Sequence, residues 1–302
     1  MIDVIITSFK EPKATLRAVE KVLSQKVKGL RVIVCDPFPE TEKFIKKNLK
    51  GGHKSVIFFT DPGEGKSYAL NLLFNEFGSK SKEDIFILTD GDVFVGENAV
   101  QSIKDAFNDP NVGCVTGKPV CVEDRSTKYG YWANFLFDGI DSARRKLSDS
   151  GSFLECSGYL FAIRKGVISD FPLETSEDSI IPYLFWNKGY KIRYVPQAQV
   201  YVKNPSDWKD WLTQKVRNIK GHENLSKIAP NIPRTKSFFN EIKHGWHFLF
   251  FYPKNIKEFF WTVELYFARL FIYYRAFKEL KQKKSYADGW RETETPTTKP
   301  LD

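Results

Sequence analysis

The chain has 302 residues, of which 42% are hydrophobic, a length and apolar content for one large domain, or one domain with an appendage, around a sizeable core. Its four cysteines (Cys35, Cys114, Cys121, Cys156) form no C-x-x-C pair and its four histidines are scattered, which argues for buried reduced thiols and against disulfides or a zinc site. The net charge of +9 is uneven: Lys203 to Lys257 holds eleven Lys and Arg against four Asp and Glu, a basic block that could face nucleic acid, an anionic membrane or acidic substrates.

Met1 leads straight into an apolar strand over 2–6, with no basic leader or cleavage site, so the chain is expected on the cytoplasmic side. Pro12 fits the first turn of a helix, and Leu16, Val19 and Leu23 give it helical spacing. A second strand is predicted from Leu30 to Cys35, stopped at Asp36-Pro37, then a lysine-rich helix over 40–49 and a strand from Val56 to Phe59. Asp61-Pro-Gly-Glu-Gly-Lys66 is a glycine loop before a helix from Ser67 to Phe77. It is not a P-loop, because Thr60 stands where that motif needs glycine. This βαβαβαβ alternation predicts a mostly parallel sheet with helices on both faces. Ligands in such sheets bind beyond the carboxyl ends of the strands, where Glu11, Asp36, Lys66, Asp90 and Asp92 all fall.

The stretch from Glu83 to Val95 carries the strongest chemical signal. The apolar run Ile85 to Leu88 reads as a buried strand and leads into Thr89-Asp90-Gly91-Asp92. Two carboxylates at i and i+2 share one side of an extended backbone, and Gly91 between them lets the chain bend and a ligand approach. Such a pair suits a hard cation, which fills its shell with water and substrate phosphates. Further on, a helix bearing Val100, Ile103 and Phe107 precedes a strand from Val112 to Thr116 and an aromatic helix from Lys128 to Leu147. Phe153 to Ile163 reads as a strand broken at Ser157-Gly158. A helix starts near Ser176, Lys191–Tyr194 and Val200–Val202 read as short strands, and Trp208–Ile219 is helical.

Taken in order, these segments resemble glycosyltransferase family 2, in its cellulose-synthase-like and hyaluronan-synthase-like branch. Thr7-Ser-Phe-Lys-Glu11 is similar to that family's nucleotide loop, and Asp36 to its base-contacting aspartate. Gly65-Lys66-Ser-Tyr-Ala-Leu-Asn71 is similar to its Gly-Lys-x-x-Ala-Leu-Asn segment, and Asp90-Gly91-Asp92 to its Asp-x-Asp metal motif. Glu177-Asp178 resembles the pair carrying the catalytic base, and Gln214-Lys-Val-Arg217 the Gln-x-x-Arg-Trp motif. The resemblance covers residues 2–222 and implies the α/β GT-A fold of nucleotide-diphospho-sugar transferases. It implies an inverting transfer from a nucleotide-diphosphate sugar to an acceptor hydroxyl, with Mg²⁺ or Mn²⁺ on Asp90 and Asp92 and Asp178 as the base. Thr7, Glu11, Asp36, Lys66, Asp90, Gln214 and Arg217 would bind the donor. Two departures matter: Asn218 stands where the motif has tryptophan, leaving processive synthesis open, and Asp36-Pro37-Phe38 replaces the usual pair after the second strand.

Pro230 and Pro233 mark a linker, and Trp246–Tyr252 and Phe259–Phe277 read as aromatic helices. Phe259–Phe277 nearly matches a bilayer span but carries Glu264, Arg269 and Arg275, so an interfacial or bundled membrane helix is favoured over a lone span. Trp246, Trp261, Tyr266, Tyr273 and Tyr274 are residue types enriched at the headgroup level. The organisation expected is a GT-A domain over 1–225, interfacial or transmembrane helices over 226–286 forming a C-terminal membrane-associated segment, and a disordered tail over 287–302. The protein would then work on the cytoplasmic face of the cell membrane on a glycan or lipid-linked acceptor, with no nucleic acid partner. Two other readings compete: a sugar nucleotidyltransferase, and a non-catalytic basic protein binding RNA or another polyanion. The first needs a glycine-rich, arginine-containing loop after strand one, which Thr7–Glu11 does not supply.

Overall fold

A computed structural model describes residues 1–51, 54–79, 81, 83–173, 175–231, 233 and 249–282. Runs rich in Val, Ile and Phe form the strands β1 (Ile2–Thr7), β2 (Leu30–Cys35), β3 (Val56–Phe59) and β4 (Ile85–Asp90). They are joined by α1 (Pro12–Leu23), α2 (Pro39–Asn48) and α3 (Lys66–Glu76), the first two opening on proline. These four strands pair in parallel. Side chains alternate across β1: Val4 and Ile6 join α1 and α4 (Ala99–Ala106) in one core layer, and Ile5 joins α3 and α6 (Glu177–Asn187) in the other.

The sheet has eight strands in the order β3-β2-β1-β4-β7-β6-β8-β5, completed by β5 (Phe94–Val95), β6 (Val112–Cys121), β7 (Leu160–Arg164) and β8 (Lys191–Val202). β7 runs antiparallel to both β4 and β6, and Leu160 at its start lies opposite Thr89 near the end of β4. The segment before β7, not the one after it, therefore sits at the carboxyl edge of β4. That segment, 153–157, is not the strand its composition predicts. Its backbone donors go elsewhere: Cys156 N to Asp178 O at 2.9 Å, and Ser157 N to Thr116 Oγ1 at 2.9 Å. The two short strands expected near 191 and 200 are one, β8, parallel to β6, with a slip in the ladder that takes in Pro196.

A third cluster lies to one side. Here α5 (Lys128–Asp149), α7 (Trp208–Ile228) and α8 (Ile256–Lys281) pack Trp132, Phe135, Trp211, Val216, Leu265 and Ile272 together. Arg125 clamps the start of α8, donating to both oxygens of Glu258 at 3.1 and 2.8 Å, and Trp132 Nε1 donates to Trp261 O at 2.8 Å. Tyr266 and Tyr273 also pack on this cluster, so most of the expected headgroup anchors face inward. The outward face carries Tyr274 (62% exposed), one of the expected anchors, together with Ile256 (76%), Phe260 (65%) and Phe267 (68%). No described helix, α8 included, is long and apolar enough to cross a membrane. Trp246 and the expected tail over 287–302 lie outside the described residues.

Candidate active site

The register of β1 against β4 sets Thr7 opposite Asp90 at one edge of the sheet. Thr7 Oγ1 donates to Asp90 Oδ1 at 2.8 Å, and Lys66 Nζ reaches the same oxygen at 2.7 Å. Lys66 opens α3 directly after Gly65, whose φ of 114° and ψ of 158° only glycine holds without strain. Asp61 shapes the same loop by accepting from Gly63 N at 2.8 Å. The glycine loop thus delivers Lys66 into the cleft, as its sequence suggests. What the sequence does not disclose is a second partner: Lys66 Nζ lies 2.8 Å from Glu177 Oε1, on the first residue of α6. Burial opposes the Lys66 charge, but Asp90 and Glu177 outweigh it and hold the ammonium well above the usual lysine range.

The chain turns directly after Asp90, so Asp92 lies off the strand rather than further along an extended backbone. Gly91 sits at that turn, as expected, and has a packing reason besides. A Cβ there would lie 2.8 Å from Thr15 Oγ1 and 3.2 Å from Ser8 Cβ, so the glycine is needed for α1 to close against the end of β4. Among the described residues no group of three or more His, Cys, Asp or Glu gathers as a metal cage. Two carboxylates are nonetheless enough for a magnesium-type ion, which completes its shell with water and phosphate. The local charge fits such an ion. Burial, then Asp90, then Asp36 push Glu11 up to about 7, the mark of a cleft with surplus negative charge.

Asp36 is buried and engaged locally: Oδ1 accepts from Phe38 N at 2.8 Å and Oδ2 from Thr41 Oγ1 at 2.9 Å. A carboxylate has further lone pairs for a ligand. Asn71 of the same resemblance is a strut, exchanging two bonds with the Phe171 backbone at 2.9 and 3.0 Å.

Asp178 sits in the first turn of α6. Ser176 makes no cap to the helix backbone; its hydroxyl donates to Asp178 Oδ1 instead. Four residues on stands Pro182, inside the helix. Proline has no N–H, so the Asp178 carbonyl lacks its usual helical donor. Cys156 N supplies one, at 2.9 Å, and so ties the segment before β7 to the carboxylate-bearing turn. Gly158 of that segment faces Asp178, whose Oδ2 would be 3.8 Å from a Cβ built there. Tyr159 reports the company of the whole site. Its phenol is pushed far up by burial, then by Asp92 and Asp90, with Arg217 opposing and Asp178 adding. Arg217 projects from α7, and Gln214, one turn earlier, is buried with Oε1 lacking a hydrogen-bond partner. An orphaned buried oxygen is costly unless a ligand satisfies it. Asp90, Asp92, Lys66, Glu177, Asp178 and Arg217 thus share one electrostatic neighbourhood around Tyr159; Glu177 and Tyr159 within it, and Thr41 beside Asp36, are residues to which sequence reasoning did not assign a role.

The family model described as glycosyltransferase like family 2 matches residues 2–221. The chain is 23% identical over 246 residues to the poly-beta-1,6-N-acetyl-D-glucosamine synthase of Staphylococcus aureus (strain COL), covering 78% of this chain and 58% of that protein. It is 27% identical over 202 residues to the probable glycosyltransferase YdaM of Bacillus subtilis (strain 168), covering 63% and 44%. It is 23% identical over 269 residues to an N-acetylglucosaminyltransferase of Azorhizobium caulinodans, covering 78% and 63%. The chain therefore spans about three-fifths or less of the length of the first two relatives. With the family match running from the first strand through Arg217, the chain belongs to glycosyltransferase-like family 2.

Proposed function

We propose that this chain transfers a sugar, with inversion, from a nucleotide-diphosphate sugar to an acceptor hydroxyl. The observation that carries the reading is the convergence of Asp90, Lys66 and the Asp178-bearing turn of α6 at one sheet edge. The donor's diphosphate would lie over Asp90 and Asp92, with Lys66 and Arg217 as cationic partners; a planar guanidinium suits phosphate. Asp90 and Asp92 would hold a Mg²⁺ or Mn²⁺ ion, whose charge would offset that of the departing diphosphate. Asp178 would take the proton of the attacking hydroxyl, its Oδ1 steadied by Ser176 and its Oδ2 turned toward Gly158. Thr7 and Glu11 line the donor side, and Gln214 Oε1 would accept a hydrogen bond from substrate.

The outward apolar stripe of α8, with Lys257, Arg275, Lys278 and Lys281 on the same helix, supports attachment to an anionic leaflet at the cytoplasmic face, and with it a lipid-linked acceptor. The test is a donor panel. UDP-N-acetylglucosamine comes first because two relatives are named for N-acetylglucosamine chemistry. Its hydrolysis is followed with Mg²⁺, Mn²⁺ or chelator, with and without a polyprenyl-phosphate-linked acceptor. Turnover of one donor that vanishes with chelator and in Asp92→Asn supports the reading. Full turnover in excess chelator sinks the metal, and no turnover of any donor sinks the reaction.

A further inference from the structure

We propose that Glu177 is a positioning residue that couples the donor pocket to the base through Lys66, an inference that rests on Asp178 being the base. One buried ammonium serves two carboxylates: Asp90 at 2.7 Å on the donor side and Glu177 at 2.8 Å on α6. All three side chains are at most 16% exposed, so solvent does little to screen the pair. The Asp90 oxygen concerned also accepts from Thr7, which fixes the donor end of the bridge to β1. At the other end Glu177 directly precedes Asp178, whose carbonyl is held by Cys156 N because Pro182 leaves it open. The turn that presents the base is therefore clamped from two sides, by Lys66 through Glu177 and by the segment before β7 through Cys156. A diphosphate arriving over Asp90 draws on the same ammonium. Glu177 keeps that ammonium in the cleft while it turns from Asp90 to phosphate, so the base stays in position when the donor is present.

The consequence is a split between binding and transfer. The full chain is assayed with the donor selected by the panel, for transfer to acceptor and for hydrolysis without acceptor, in parent, Glu177→Gln, Glu177→Asp and Asp178→Asn forms, with thermal midpoints alongside. In Glu177→Gln the transfer kcat falls tenfold or more, donor KM changes less than threefold, and the ratio of hydrolysis to transfer rises. Glu177→Asp keeps the charge and recovers part of kcat. A merely structural role would lower the midpoint and the active fraction while leaving KM and that ratio unmoved. Transfer by Glu177→Gln within twofold of the parent, or an unchanged ratio, overturns the proposal. Asp178→Asn separates the two ideas. If it abolishes transfer while Glu177→Gln is normal, only the coupling falls. If Asp178→Asn still transfers while Glu177→Gln does not, the base reading falls and the coupling to it falls too.

Discussion

Gly91→Ala tests how the acidic loop is held. The backbone at Gly91 is not left-handed, so alanine is allowed there and by unfolded-state entropy alone would stabilise by about 0.4–1 kcal/mol. Packing decides otherwise. The new methyl would stand 2.8 Å from Thr15 Oγ1, and that atom cannot yield cheaply. It donates to Glu11 O at 2.7 Å and lies 2.6 Å from Ser8 Oγ, and Thr15 is fully buried. Moving it aside strains the packing by about 1–3 kcal/mol. Loss of one of its bonds adds about 1–3 kcal/mol for a buried hydroxyl left unpaired. The net expectation is destabilisation of about 1–5 kcal/mol, a fall in thermal midpoint of roughly 2–8 °C for a chain of this size. Guanidinium unfolding of Gly91→Ala, Thr15→Ala and the double variant closes a cycle. Removing the Thr15 hydroxyl should recover at least about 1 kcal/mol of the Gly91→Ala loss. A Gly91→Ala protein as stable as its parent, or a cycle that is simply additive, would refute the account of why this position is glycine.

Two further outcomes can be checked on the same protein. Glu11 keeps its proton to about pH 7 in the fold but ionises near 4.5 when unfolded, so its stabilising contribution is complete below 4.5 and lost as pH rises through 7. With chelator present, Glu11→Gln should gain on the parent as pH rises from 4.5 to 7 and level off above that, by only about 1 kcal/mol because the group is partly exposed. Parallel midpoints for the two proteins across that window would contradict the sign. On the membrane side, Phe260→Ser, Phe267→Ser and Tyr274→Ser together remove outward apolar surface without touching the core, whereas truncating α8 would uncover Trp132 and Trp211. Sedimentation with phosphatidylglycerol vesicles should fall at least about tenfold in partition, since each aromatic ring inserted contributes on the order of 1 kcal/mol or more. Equal sedimentation by parent and variant would show that this face does not meet lipid.

Much of the site was legible because local pattern and strand-end logic coincide. The apolar run before Asp90 could only be a buried strand, and the alternation before it placed Lys66 and Asp36 at the same edge. What escaped depends on register and direction, which hydrophobic pattern does not encode. Periodicity cannot tell that β7 runs antiparallel to β4, so the segment before it was taken for strand rather than for the wall beside Asp178. The Lys66–Glu177 pair joins elements far apart in sequence, and each residue alone looks like an ordinary helix opening. Gly91 shows a reason the sequence does not carry: turn chemistry suggests a bend and room for a ligand, while Ser8 and Thr15 add a contact that excludes a side chain. In α8 composition named Trp and Tyr as anchors, but helical phase turns Trp261 and Tyr266 inward and Phe260 and Phe267 outward.

The relation of α7 to its neighbours bears on what the acceptor can be. One face of α7 sends Trp211, Val216 and Ile219 into the cluster with α5 and α8. From the same helix Arg217 acts on Tyr159, which also feels Asp92 and Asp178, and Gln214 is buried one turn earlier. Asn218 follows Arg217 and is exposed, where the family's tryptophan would give a growing glycan a ring to stack on. If that ring is what holds a product while the next donor enters, this chain lacks it. Single additions are therefore expected: mass spectra taken while acceptor is in excess should show one added sugar, and Asn218→Trp should lengthen the products. A ladder of long products from the parent chain under those conditions would show that the acceptor is retained by other residues, and would remove Asn218 as the determinant.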